Sequence, residues 1–349
     1  MGYFRENIEK SDGYIPGFQP KQANIVKLNT NENPYPPSPD VLGTLTQILP
    51  EQLRRYPDPL GNTFRRAAAE VNGVSAENIM CCNGGDELLS MAFQAFCDED
   101  RPVAYPIPTY SLYSVLAKLQ NCKAIELPFD KKFNLPAESL AAAKAALTIV
   151  CNPNAPSGSF VSGEELASLA DKLKGVLLID EAYADFAEGN CAALVKNFNN
   201  VIILRSMSKG YSLAGLRLGY AIAQKELING LMKIKDSYNV DAIAIAAATA
   251  AIKDQKYFKE NIEKVKKERK ILTEKLRAFG FKVADSFANF LLAESKNHNA
   301  GEIYDKLVQR NIYVRYFNVP ELNDKLRITV GTKEQNEKLI CALKEILSE

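Results

Sequence analysis

Residues 206–220 read Ser-Met-Ser-Lys-Gly-Tyr-Ser-Leu-Ala-Gly-Leu-Arg-Leu-Gly-Tyr. They follow an apolar run, residues 201–204, that reads as a strand. Lys209 therefore stands just past a strand end, among small and hydroxyl residues that include Ser206 and Ser208. Arg217 follows eight positions later, between apolar neighbours. Such a lysine is either a solvated loop residue or a buried amine. Burial lowers the pKa of an amine, because the charged form loses its water. It then leaves a nucleophile able to form a Schiff base.

Outward from this stretch, apolar strands alternate with helices. Residues 78–82, 102–105, 123–127, 148–151, 175–180 and 201–204 read as strands, with helices at 88–96, 109–119 and 163–173. This pattern predicts an α/β fold with a largely parallel sheet covered on both faces. Ligands of such sheets lie at the carboxyl ends of the strands. Ahead of the sheet, residues 1–37 form an irregular arm, rich in Asn and Pro. Residues 39–49 have helical spacing, 54–59 read as an extended connector, and Asn62 caps a helix running through 71. Beyond the sheet come helices at 225–237, 241–254 and 257–279, the last with a solvated Lys/Glu face. Strands at 290–293, 312–315 and 326–330 and helices at 301–310 and 333–347 then build a smaller α+β unit. The expected organisation is an arm (1–37), a large domain (38–256) and a small C-terminal domain (257–349) that packs with the arm.

The totals narrow the function. A chain of 349 residues suggests about two domains. Its 46% hydrophobic and 24% charged content is that of a packed globular protein. A net charge of +1 offers no electrostatic case for nucleic acid or an anionic membrane. The seven cysteines form no Cys-x-x-Cys pair, so no metal is expected, and their odd number fits a reducing, cytoplasmic setting. The lone histidine, His298, sits in a polar tract, which argues against a Ser-His-Asp hydrolase. The first residues lack the apolar core of a signal peptide, and the run 242–252 is too short to span a bilayer.

Four further motifs fall at strand ends. Asp180 closes one strand and begins Asp-Glu-Ala-Tyr, ending at Tyr183. Gly84-Gly85-Asp86 precedes a helix, where backbone amides can hold a phosphate. Ser206, Ser208 and Arg217 complete a phosphate cup, and Tyr110 is placed to stack on a flat ring. Singly, each has a plain reading: Gly-Gly-Asp as a turn, Tyr110 as a core tyrosine, Asp180 as a helix cap or metal ligand. Jointly they fit one cofactor, pyridoxal 5'-phosphate. It needs a lysine, a partner for its pyridine nitrogen, a phosphate cup and a stacking ring.

With these residues assembled, the chain resembles the fold type I pyridoxal-phosphate-dependent aminotransferases. Within them it is most similar to the histidinol-phosphate aminotransferase family. The resemblance runs from Tyr14 onward. It includes Tyr14-Ile-Pro-Gly17, Asn31-Glu-Asn-Pro34, Arg55-Tyr-Pro-Asp58, Gly84-Gly-Asp-Glu87 and Leu326-Arg-Ile-Thr-Val-Gly331. It implies a large domain with a mostly parallel seven-stranded sheet and a smaller α+β domain.

The resemblance also implies roles. Lys209 links to the cofactor and moves a proton to and from the substrate α-carbon. Asp180 keeps the pyridine nitrogen protonated, Tyr183 tunes the phenolic oxygen, and Tyr110 stacks on the ring. Gly85 and Asp86 (through backbone amides), Ser206, Ser208 and Arg217 hold the phosphate. Tyr56 reaches the phosphate of a partner subunit, which makes a homodimer with its site at the interface. Arg327, and less directly Arg315, bind a substrate carboxylate or phosphate, while Tyr14 and Asn31 lie on the arm that covers the substrate.

Three departures from the family pattern stand out. Residues 153–158 read Pro-Asn-Ala-Pro-Ser-Gly where the family usually has Pro-Asn-Asn-Pro-Thr-Gly. Ala155 thus lacks an amide for the phenolic oxygen, and Asn154 replaces it only if the loop shifts. One such hydrogen bond is worth about 1 kcal/mol, which predicts altered tuning rather than an inactive protein. Gly85 replaces the usual Ser or Ala, and Gly210-Tyr211 replaces Ala-Phe. The implied reaction moves the amino group of L-glutamate to a small phosphorylated ketone. That ketone is imidazole-acetol phosphate, giving histidinol phosphate, or dihydroxyacetone phosphate, giving an aminopropanediol (serinol) phosphate. The alternative is a decarboxylase of a phosphorylated amino acid, resembling threonine-phosphate decarboxylases. A regulatory module without turnover is disfavoured by the balanced charge and by the lack of a DNA-binding segment ahead of the arm.

Overall fold

The computed structural model describes residues 2–22 and 24–349. In chain order the strands are β1 (Val26–Lys27), β2 (Ile79–Cys82), β3 (Val103–Ile107), β4 (Ala124–Pro128), β5 (Leu147–Cys151), β6 (Val176–Asp180), β7 (Val201–Ser206), β8 (Gly219–Ala223), β9 (Lys282–Val283), β10 (Phe290–Glu294), β11 (Ile312–Tyr313), β12 (Arg315–Tyr316) and β13 (Lys325–Thr329).

A 7-stranded sheet has the order β2-β8-β7-β6-β5-β3-β4. Strands β4, β3, β5, β6 and β7 run parallel, whereas β8 is antiparallel to both β7 and β2. Every residue of β5, β7 and β8 is buried. Consecutive residues face opposite sides of the sheet. Ile79, Ile179, Ile203 and Ile222 thus enter one core with Phe64 and Ile245. Met80, Leu178, Ile202 and Ala221 enter the other, with Leu89 and Phe93. Two apolar faces explain why these strands read as unbroken apolar runs rather than alternating ones.

Several boundaries differ from the sequence-based expectation. The antiparallel β8 was not expected, because its Gly-Tyr-Ala-Ile-Ala carries weak strand propensity and its burial depends on β2 and β7. The helix expected over 39–49 ends at Leu45, and Pro50 opens a second helix, Pro50–Arg54. Proline suits a first helical position and cannot continue a helix. The glycine turn is itself the first turn of the helix Gly84–Phe96. The helix expected over 225–237 stops at Leu231, and a short helix, Ala137–Ala142, precedes β5.

A second sheet of 4 strands, β12-β13-β10-β9, is antiparallel. It shares a core with the long helix Gln255–Ala278 and the last helix, Lys333–Ile346, through Leu272, Leu276, Leu291, Ile328 and Leu339. The arm joins this unit by parallel pairing of β1 with β11, Val26 opposite Ile312. No helix among the described residues is long and apolar enough to cross a membrane.

Candidate active site

A cavity of about 850 Å³ opens at the carboxyl ends of β5, β6 and β7. Lys209, Asp180, Tyr183, Tyr110, Arg217 and Arg327 line it, as do Gly85, Asp86, Ser206, Ser208, Arg315, Tyr14 and Asn31. A larger groove, about 1030 Å³, lies along the helix Leu112–Gln120, walled by solvent-facing groups such as Arg5, Asp98 and Lys123. It contains none of these convergent groups.

Lys209 sits on the loop between β7 and β8. Its Nζ donates to the carbonyl of Thr30 at 3.2 Å and lies 5.7 Å from the centroid of the Tyr183 ring. Burial, aided by the positive fields of Arg327 and Arg217, draws its pKa down to about 8, against the opposing pull of Glu32 and Asp86. Half of the amine is therefore neutral at about that pH. The cofactor-free protein is expected to capture pyridoxal phosphate faster as pH rises, with a midpoint near 8 rather than the model-peptide value of about 10.4. Stopped-flow absorbance across pH 6–11, a range of roughly two pH units or more on either side, checks this. A rate still climbing steeply above pH 10 contradicts it.

The Lys209 loop is held from below by residues the sequence reading had not singled out. Arg205 bridges Glu181 at 3.1 Å and Asp185 at 2.5 Å, all three buried. Glu181 also accepts from the backbone N of Cys191 at 2.5 Å. Burial raises the carboxyl pKa values of Glu181 and Asp185, and the guanidinium opposes that rise. A Cβ on Gly210 would lie 2.2 Å from Asp185 Oδ2, which accounts for glycine after the lysine. Asn33 Nδ2 donates to the carbonyls of Lys209 and Gly210, at 3.1 Å each, and ties the loop to the arm. The signal missed in the sequence was a charged residue extending an apolar strand past 204.

Asp180 ends β6 and is almost wholly buried. Tyr113 Oη donates to its Oδ2 at 2.7 Å, and the N of Ala182 donates to Oδ1 at 3.1 Å. Burial raises its pKa, while those hydrogen bonds and the charge of Lys209 pull it down. A buried carboxylate facing a cavity with only neutral donors in contact suits a cationic partner, which a protonated ring nitrogen supplies. Tyr113 was not singled out because its place in an apolar helix looks like ordinary core.

The phosphate cup is assembled around a helix start. Gly84 adopts φ +77°, and a Cβ there would lie 2.5 Å from Arg217 NH2. The missing side chain lets a guanidinium approach the positive end of the helix Gly84–Phe96. Two like fields at one point are favourable only with an anion between them. Arg217 NH1 donates to Ser208 Oγ at 3.4 Å, and the N of Ser208 donates to Ser206 Oγ at 3.1 Å. The Asp86 side chain lies 3.5 Å from Arg217 NH2 and accepts from Tyr110 Oη at 3.3 Å. The Tyr110 ring meets Tyr113 and Tyr14 edge-on, at 5.7 and 5.8 Å.

On the opposite wall, Arg315 and Arg327 are register partners across β12 and β13. Arg327 NH2 donates to the carbonyl of Asn29 at 3.0 Å, but its buried Nε has no partner among the described residues. Burial and the nearby Arg315 lower its pKa. Two adjacent guanidinium groups facing one cavity form a site for an anion. These features fit a phosphorylated, ring-bearing cofactor and an anionic substrate.

Asn154, expected to hold the cofactor, is not at the cavity, and Tyr56, expected at a partner's cavity, is not at this chain's. The Asn154 side chain accepts from Thr109 Oγ1 at 2.8 Å and donates to the Pro108 carbonyl at 3.1 Å and Ser157 Oγ at 2.8 Å. It is committed to its own loop and does not replace the amide lost at Ala155, which lines the cavity. Tyr56 is 81% exposed. It stacks on Tyr238 with ring centroids 4.4 Å apart, away from this chain's cavity.

Comparison with known proteins follows the same direction. The family described as "Aminotransferase class I and II" matches residues 23–343. The chain is 49% identical over 346 residues, 99% of each chain, to histidinol-phosphate aminotransferase 1 of Trichormus variabilis. It superposes with a TM-score of 0.91 on the histidinol-phosphate aminotransferase of Sinorhizobium meliloti solved with pyridoxal-5'-phosphate, at 26% identity over 100% of this chain and 98% of that one. The fold is shared with the L-threonine-O-3-phosphate decarboxylase of Porphyromonas gingivalis, with a TM-score of 0.83 at 24% identity over 92% and 99% of the two chains.

Proposed function

The chain belongs to the aminotransferase class I and II family, within it to the histidinol-phosphate aminotransferases, and we propose that it transfers the amino group of L-glutamate to imidazole-acetol phosphate. Bound pyridoxal phosphate supplies an electrophilic carbon for the amine and a ring that draws electrons from the substrate α-carbon. The residues of this chain do the rest. Arg217, Ser206, Ser208 and the amides of Gly85 and Asp86 bind the phosphate group. Asp180, steadied by Tyr113 and the N of Ala182, holds a proton on the ring nitrogen. Tyr183 would donate a hydrogen bond to the phenolic oxygen, and Tyr110 would pack against the ring. Lys209, with its lowered pKa, takes and returns the proton of the α-carbon. The arm, with Tyr14, excludes water.

The observation that carries the substrate assignment is the pair Arg315–Arg327, opposed across two strands on the wall of the Lys209 cavity. Glutamate carries its α-carboxylate on the reacting carbon, and the ketone carries its phosphate one methylene from it, so both can use this pair in turn. The exposed Tyr56–Tyr238 stack supports a homodimer in which Tyr56 serves the partner's cavity. The reduced thiols, six of them buried, fit a cytoplasmic enzyme.

The test is an assay of 2-oxoglutarate release from glutamate with each ketone. Imidazole-acetol phosphate is expected to exceed dihydroxyacetone phosphate in kcat/KM by about tenfold or more, the range that pocket contacts provide. A preference for the smaller ketone reassigns the substrate. Carbon dioxide release from threonine phosphate without an acceptor assigns a decarboxylase instead.

A further inference from the structure

We infer that Asn31 is a positioning residue whose amide sets the direction of the Tyr183 hydroxyl, turning its proton into the cavity. The inference rests on Tyr183 serving the phenolic oxygen of the cofactor, as proposed above. Asn31 lies on the arm, 1% exposed, with a left-handed φ of 58°. Asparagine tolerates that conformation better than most residues. Its backbone N donates to Thr329 Oγ1 at 3.0 Å, and Thr329 Oγ1 donates onward to Asn31 Oδ1 at 3.0 Å. Asn289 Nδ2 clamps the Asn31 carbonyl at 3.0 Å.

With Oδ1 held by Thr329, the end of the amide that faces Tyr183 is Nδ2, which donates to Tyr183 Oη at 3.0 Å. A phenol has a single hydrogen. Its oxygen accepts from Asn31, so that hydrogen must go elsewhere. The other groups that face Tyr183 do not take it. Arg327 carries only donors, and Tyr183 Oη makes no hydrogen bond to Lys209, Tyr110 or Asp180, whose own bonds run to Thr30, to Asp86, and to Tyr113 and Ala182. Cys151 also lies nearby, and its Sγ is engaged with the Pro153 carbonyl. Among the described residues no atom accepts the Tyr183 hydrogen, which leaves the cavity. The arrangement matters more here because Ala155 brings no amide and Asn154 is committed to its loop. Tyr183 is then the remaining neutral donor for that oxygen.

The decisive variant is Asn31→Asp, which keeps the shape and replaces the donating end with an acceptor. The Tyr183 hydrogen then turns to residue 31. The readout is the pH midpoint of the visible absorbance of the loaded enzyme. A donor to the phenolic oxygen draws charge from it and makes the neighbouring nitrogen less basic, so its loss raises the midpoint. Tyr183→Phe is expected to raise it by about one pH unit, and Asn31→Asp by about the same amount. Asn31→Asp added to Tyr183→Phe is expected to move it no further, as non-additivity requires of residues acting through one group.

An unshifted midpoint in Asn31→Asp, or an equal extra shift in the double variant from the new charge alone, overturns the inference. An unshifted Tyr183→Phe overturns the role of Tyr183 itself, and the inference with it. Thr329→Val, which frees the amide to turn over, is expected to shift the midpoint in the same direction by less. It decides the matter if Asn31→Asp does not fold, and no shift there counts against the inference.

Discussion

Replacing Lys209 with alanine is expected to abolish the visible absorbance of enzyme-bound pyridoxal phosphate and to lower turnover by about four orders of magnitude. Lys209 is the one lysine lining the cavity among the described residues, so no other amine can take over the link or the proton. The variant keeps its phosphate cup, because the Lys209 amine bonds to the Thr30 carbonyl and to no part of the cup formed by Arg217, Ser208 and the start of the helix Gly84–Phe96. Pyridoxal phosphate should therefore still be retained on gel filtration, as a free aldehyde. Folding is not at risk, since the change removes a buried, desolvated amine rather than a partner in an ion pair. Near-native turnover of Lys209→Ala would overturn the assignment of the site.

The second large effect is expected at Asp180. Asp180→Asn keeps the size of the side chain but removes its negative charge. Loss of a buried, charge-assisted hydrogen bond to a developing cation typically raises a barrier by about 3–4 kcal/mol, or two to three orders of magnitude in kcat. The local geometry compounds the loss. Tyr113 Oη and the N of Ala182 both donate to the carboxylate. An amide offers one oxygen, so one of these buried donors loses its acceptor or Tyr113 must reverse its hydrogen bond. Cofactor affinity should fall together with kcat, which spectral titration of the cofactor-free variant would measure. A kcat within about tenfold of the parent would show that Asp180 does not hold a ring proton.

Much of this site was legible in the sequence because its residues follow strand ends. Lys209 after β7, Asp180 at the tip of β6 and Gly84-Gly85 after β2 are each placed by chain continuity with an apolar run. Glycine at 84 and 210 also carried information, since each marks a spot where a side chain would strike Arg217 or Asp185. What stayed hidden was the support. Tyr113 and Arg205 each look ordinary in their own segments, one in a helix and one closing a strand. Asn154 looked available for the cofactor because its hydrogen bonds to Thr109 and Pro108 arise only when the loop folds back on the segment after β3.

The division has a physical basis. Periodicity, strand-end position and residue chemistry are local, so the sequence alone pointed to the α/β class, the cofactor and most of the residues that line the cavity. Contacts between segments distant in the chain were decided only in the folded molecule. Asn31 reaches Tyr183 across 152 positions, Tyr113 reaches Asp180 across 67, and Arg205 reaches Asp185 across 20. Such pairings depend on where the arm, the helices and the two sheets pack. Each supplies direction, to a proton, a carboxylate or a loop, and direction belongs to the packing rather than to any one segment.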